Sequence, residues 1–259
     1  MNILKLNVKT YMLVFLSAIL LVGLGIHFST GALVHIILTP IIAVAAEFAA
    51  AKIRKSKPIL DEAAITGLIL AVLIAPSIVF SIAAALVAIF FKHIIRHKNI
   101  NIFNPAALAA LILSLFGAGI AWWAASPLII PLGIFIAYKI GRLRMSFTFL
   151  IVFIALNMLA FPSSANILSA AEPVTWFFAF FMLLEPKTSP FPSKAQHIFG
   201  AGAAVISIIL MLTNTYLDIF LVSLVIMNLF KEELNRLQPK VKEVKPKSGY
   251  PDLSPLPAQ

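Results

Sequence analysis

Three short stretches of this chain set polar groups inside otherwise apolar sequence, where they could do chemistry. Glu185-Pro186-Lys187-Thr188-Ser189-Pro190 places a carboxylate just before a proline, and two hydroxyls between that proline and the next, at the end of an apolar run. A carboxylate at a helix break within a bilayer is costly, so it marks a functional position by default, here a ligand for a cation or a proton. The duller alternative is a neutralising ion pair with Lys187. Asn101-x-x-Asn104-Pro105 sets two carboxamides ahead of a proline suited to the first turn of a helix, and simple capping by Asn104 competes with any binding role. In Thr66-Gly67 the glycine permits close approach of a ring or of a neighbouring helix.

The elements that must position these groups follow from composition. Of 259 residues, 61% are hydrophobic and 12% charged, and mean hydropathy is +1.01. A water-facing exterior is incompatible with those values, so the chain is an integral membrane protein of all-α class. With no cysteine, disulfides, thiolate metal sites and cysteine nucleophiles are excluded. Ten apolar segments can be traced: Thr10–Phe28, Gly31–Ala51, Ala63–Ala75, Ile78–Ile95, Pro105–Ile120, Leu128–Ile140, Ser146–Ala160, Pro173–Leu184, His197–Thr213 and Tyr216–Phe230. The first is read as a retained span. The boundary near Gly117–Pro127 is the least marked, because apolar sequence runs on from Ile102 to Tyr138.

The net charge of +10 raises nucleic acid as a partner, but the placement of the basic residues answers it. They fall at Lys5 and Lys9, at Lys52 to Lys57, at Lys92 to Lys98, at Lys139 to Arg144, at Lys187 and Lys194, and from Lys231 onward, which accounts for all 20. With ten spans and both termini cytoplasmic, every one lies on the cytoplasmic side of the cell membrane, so topology explains the excess and nucleic acid is not a partner. The proline-rich stretch 231–259 reads as a solvated, disordered tail.

The spans form two halves, 1–120 and 121–230. Each half contains an apolar segment too short to cross and closed by a proline, with Thr66 to Pro76 matching Thr175 to Pro186. Two segments precede each and two follow. Five is odd, so the second copy is inverted, and paired broken helices point to a site at the midplane where freed backbone groups need partners. Asp61 and Glu172 precede the broken helices, where acids cap free amides.

Three stretches in this order, Ile65–Ser77, Lys92–Ala109 and Phe180–Pro192, together resemble the NqrB/RnfD family, membrane subunits of the sodium-pumping NADH:quinone oxidoreductase and of Rnf complexes. The resemblance covers residues 61–230. It implies two inverted five-span halves, a flavin (riboflavin or FMN), electron transfer coupled to Na+ or H+ movement, and companion subunits in a membrane redox complex. It also implies flavin-site roles for Asn101, Asn104 and Pro105, with Thr66 and Gly67 matching a Thr-Gly of the family, and an ion-pathway role for Glu185 and Thr188. A carboxamide suits an isoalloxazine ring because it answers both carbonyl acceptors and an imide donor without placing a charge in lipid.

The chain also departs from the family pattern. The outer loop Gly117–Ser126 has no threonine, and no Ser-Gly-Ala-Thr occurs anywhere, so covalent FMN is not expected and any flavin is held non-covalently. Ala109 and Ala110 replace a Gly-Arg pair. Without a redox cofactor, the same inverted plan suits a channel or secondary transporter for a small solute or ion, and a scaffold subunit is a third reading. Trp122 and Trp123 are expected in the interfacial belt rather than on a flavin. His35 is expected on a carbonyl freed by Pro40, and Glu47 in a pair with Lys52, Arg54 or Lys55. Asn157, Asn166, Asn214 and Asn228 are intramembrane amides that follow no motif.

Overall fold

A computed structural model describes residues 7–98, 100–162 and 171–237. Asn166 lies outside them, as do residues 238–259. Among the described residues every apolar segment becomes a helix. Asn7 caps α1 (Val8–Ile26) and Ser29 caps α2 (Thr30–Ile53), in each case by accepting a first-turn amide. Then come α3 (Leu60–Leu73) and α4 (Ile78–Ile94), the latter capped by Ser77. A two-residue antiparallel hairpin, β1 (Arg96–His97) with β2 (Ile100–Asn101), leads into α5 (Pro105–Ser114). The second half holds α6 (Ile129–Ile140), α7 (Leu143–Ala160), α8 (Pro173–Met182), α9 (Ser193–Leu212) and α10 (Ile219–Leu229).

Four of these, α1, α2, α7 and α9, are long and apolar enough to cross a membrane. At 1.5 Å per residue, α3 reaches only about 21 Å and α8 about 15 Å, against a hydrocarbon core of about 30 Å. Both breaks expected from the proline spacing are present: α3 gives way to extended backbone at Ile74, and α8 ends ahead of Pro186. One segment needs correction: the helix begun at Pro105 stops at Ser114, and Leu115 to Pro127 runs through turns that bridge back to the end of α3 instead of continuing as helix to Ile120.

The packing repeats between halves. Helices α1 and α3 pack together as α6 and α8 do, α2 on α4 as α7 on α9, and α4 on α5 as α9 on α10, while α1·α6 and α5·α10 join the halves. The start of α1 (Val8, Lys9) and the end of α6 (Ile140) line one cavity, so corresponding helices run in opposite directions. Each basic cluster sends a residue to the same end of the bundle. Lys9, Lys92 and Lys187 surround Glu62, Arg54 reaches the His93 carbonyl, Arg142 reaches Ser189, and Lys231 reaches the Lys187 carbonyl. The stretch expected to be a solvated, largely disordered tail opens with a short helix, α11 (Lys231–Asn235), whose Lys231 and Leu234 are buried.

Candidate functional site

The break in α8 sits near the basic end. The helix widens into a π-turn over Phe178–Met182, a feature that frequently marks functional positions, and Pro186 then removes a donor that continuation would need. The freed Met182 carbonyl accepts a hydrogen bond from Asn104 Nδ2 at 3.4 Å. Asn104 Oδ1 meanwhile accepts the Ala107 amide (3.0 Å), and the Asn104 amide donates to Asn228 Oδ1 (2.9 Å). Asn228 Nδ2 donates to the Thr188 carbonyl (2.9 Å) and Lys231 Nζ to the Lys187 carbonyl (2.6 Å). From the other flank, Arg142, 1% exposed, donates to Ser189 Oγ and lies 4.8 Å over the Phe191 ring. The loop 185–190 is thus held from several sides, and the Glu185 carboxylate accepts from Thr188 Oγ1 at 3.2 Å.

Against this loop lies a cavity of about 370 Å3. Thr66 of α3, Asn101 and Asn104 of the turn into α5, Pro105, and Glu185 all line it. Its walls are Ile65, Ile69, Ile136, Phe180, Phe181 and Leu184, and its mouth carries Lys9, Glu62, Lys92 and Lys187. The mouth is an ion-pair network. Lys9 meets Asp61 at 2.9 Å and Glu62 at 3.2 Å, Lys187 bonds Glu62, and Lys92 lies 3.1 Å from Glu47, which also meets His93 Nε2 at 2.9 Å.

These contacts revise several expectations. Lys187 pairs with Glu62 rather than neutralising Glu185. Glu47 pairs with Lys92 and His93 of α4 rather than with Lys52, Arg54 or Lys55. Asp61 lies in the first turn of α3 rather than at its cap position; its carboxylate accepts the free Glu62 amide at 2.8 Å, as expected, and also holds Lys9. Glu172 occupies the cap position of α8 without a side-chain hydrogen bond there. Gly67 is absent from the cavity: a Cβ there would stand 2.4 Å from Pro40 Cα, so the close approach it permits is that of α2. Thr188 reaches the site through Glu185 and does not line the cavity.

The α3 break differs. Leu73 is followed by Ile74 in extended conformation, bridged to Ile120. Ala75 N–H donates to Gly119 O (2.9 Å), and the Leu73 carbonyl accepts the amides of Ala121 (2.9 Å) and Trp122 (3.1 Å). The Ala71 carbonyl accepts Trp123 Nε1 at 2.6 Å and faces His35 Nε2 at 3.2 Å, with His35 Nδ1 at 2.6 Å from Ser81 Oγ. Trp122 Nε1 donates to Asp218 Oδ2 (2.7 Å). The two tryptophans, expected at the lipid interface, instead close this break, and His35 serves the α3 end rather than a carbonyl freed by Pro40. No residue from Ile74 to Ser77 lines the cavity, so the two breaks do not share one midplane pocket as their spacing suggested.

Arg142, Lys231 and the Glu62 hub were not legible as site residues. Asn228, noted only as an intramembrane amide, was the one available signal.

Among known proteins, the model of the NQR2, RnfD, RnfE family matches this chain twice, over residues 4–126 and 111–243. The two matches fall on the two halves that repeat in the packing. No curated protein matches the chain.

Proposed function

Because the chain belongs to the NQR2, RnfD, RnfE family, membrane subunits of electron-transport or ion-translocating complexes, we propose that it binds a flavin non-covalently in the cavity at the α8 break. It would serve there as one electron-carrying subunit of a membrane redox complex. The observation that carries this reading is convergence: Thr66, Asn101, Asn104, Pro105 and Glu185 come from three separate stretches and meet on one cavity. Its volume falls within the range of small-molecule sites, and apolar walls with few polar groups are what such sites use to fix orientation.

The donor set suits the ring. Asn101 is 4% exposed and lines the cavity, so its carboxamide can both donate to a carbonyl and accept from an imide. Asn104 has committed one acceptor site to the α5 cap and one donor to Met182, which leaves it a secondary contact. Thr66 Oγ1 donates to Glu62 O at 2.9 Å and keeps acceptor capacity toward the cavity. Phe180 and Phe181 offer apolar faces. A bound flavin supplies one- and two-electron redox chemistry; the protein's share is to hold the ring, exclude water and place Glu185, with Thr188 fixing its carboxylate, where a proton or Na+ can be taken up. The accompanying topology is ten segments with all basic clusters and both termini on the cytoplasmic side of the cell membrane.

The test is an absorption spectrum of the full chain purified in mild detergent, followed by acid precipitation. Yellow colour released to the supernatant is the expected result. Colour retained in the pellet contradicts the non-covalent reading, and a colourless, folded preparation that moves solutes into liposomes supports the transporter reading instead.

A further inference from the structure

The loop between α2 and α3 carries Lys52, Arg54, Lys55 and Lys57, all exposed. None of the four forms an ion pair with a carboxylate among the described residues. The flanking acids are committed elsewhere: Asp61 to Lys9, and Glu47 to Lys92, His93 and the Ile59 amide. Four positive charges therefore stand together uncancelled, unlike the lysines of the cavity mouth.

Directly below this loop runs an apolar groove of about 550 Å3, lined by Pro40, Ile41, Val44, Ala45, Phe48 and Leu60. Positions 41, 44, 45 and 48 form one stripe of α2, with Ile41 57% and Phe48 58% exposed. The stripe extends about 12 Å from Pro40 to Phe48, and Lys52 follows about 6 Å further along the axis. Leu60, at the start of α3, closes the groove where the loop returns.

We propose that groove and loop together bind an anionic diacyl phospholipid, one acyl chain lying along α2 and the headgroup phosphate held by the basic loop. The groove belongs to a helix long and apolar enough to span, so hydrocarbon is what meets it, and the loop at that helix's end stands at headgroup depth. A soluble acidic protein would reach the loop but not the groove. A partner helix would fill the groove without needing the charges. Basic residues at the end of a spanning helix attract anionic lipid in any case; what distinguishes a site from that general attraction is dependence on the groove as well. This site is separate from the cavity at the α8 break, and its test does not depend on flavin.

The test is native mass spectrometry of the full chain with dioleoyl phosphatidylglycerol or dioleoyl phosphatidylcholine at equal concentration. Retention of phosphatidylglycerol should exceed that of phosphatidylcholine by at least about tenfold. The combined K52Q, K55Q and K57Q variant should lower it by at least about fivefold, and Ala45→Trp, which fills the groove and leaves every charge in place, should lower it comparably. Leu60→Trp repeats the groove test if Ala45→Trp does not fold. Equal retention of the two lipids, or no loss in the glutamine variant, overturns the proposal. Undiminished phosphatidylglycerol retention with the groove filled also overturns it, because headgroup attraction alone would then account for binding.

Discussion

At the α3 break the freed backbone is met by backbone and by indole N–H groups: Gly119, Ala121 and Trp122 supply the bridge, and Trp123 with His35 covers Ala71. At the α8 break it is met by flexible polar side chains, Asn104, Asn228 and Lys231, with a carboxylate and a cavity beside them. The first solution meets the Ala71 and Leu73 carbonyls and the Ala75 amide with backbone and ring partners, and so makes a bonded joint. The second leaves a carboxamide, a hydroxyl and a carboxylate on the wall of a cavity. Two copies of one helical plan have thus been finished differently, one as structure and one as a place where a ligand and a charge can be held.

That contrast can be broken experimentally. The largest effect is expected for Asn104→Leu, which removes the α5 cap on the Ala107 amide and leaves the Met182 carbonyl short of a partner, while the backbone N–H to Asn228 is kept. Cap loss costs about 1 kcal/mol and each orphaned buried group about 1–3 kcal/mol, so thermal unfolding in detergent should fall clearly, and flavin content with it. Trp123→Phe should cost about 1–2 kcal/mol through the lost bond to Ala71 while flavin content per folded protein stays at the wild-type level. A fall in flavin content there would mean that the α3 break also serves the ligand. Asn101→Leu should do the reverse, removing the flavin with little change in unfolding temperature. The smallest effect is expected for Lys9→Gln at the partly exposed edge of the mouth, where an ion pair contributes about 0–1 kcal/mol; denaturant unfolding should detect little, and a loss of several kcal/mol would show the mouth to be structural.

Much of the architecture could be read from residue types. Periodic apolar runs located the helices, Pro76 and Pro186 located the breaks, and the basic residues located one end of the bundle. The site was legible where chemistry is local: a proline after Asn104, a carboxylate before Pro186. It was not legible where partners are distant in sequence. Glu62 and Lys187 are 125 positions apart and Asn104 and Asn228 are 124, and no spacing rule joins them. Trp122 and Trp123 were misplaced because a tryptophan pair at the end of an apolar run has the same sequence signature at an interface as inside a re-entrant turn. Their difference lies in Ala71 and Asp218, which only folding brings near. Gly67 was ambiguous for the same reason: glycine advertises a close approach without saying whose.

The absence of cysteine allows the central claim to be tested directly. Thr66→Cys places a single thiol on the cavity wall, and Ser77→Cys places one at the α3 break. Labelling rates with a maleimide, measured on flavin-depleted protein with and without added riboflavin, should show protection of at least about tenfold at position 66 and none at position 77. Equal rates at position 66 with and without riboflavin, or protection at position 77 instead, would contradict the assignment of the ligand to the α8 break.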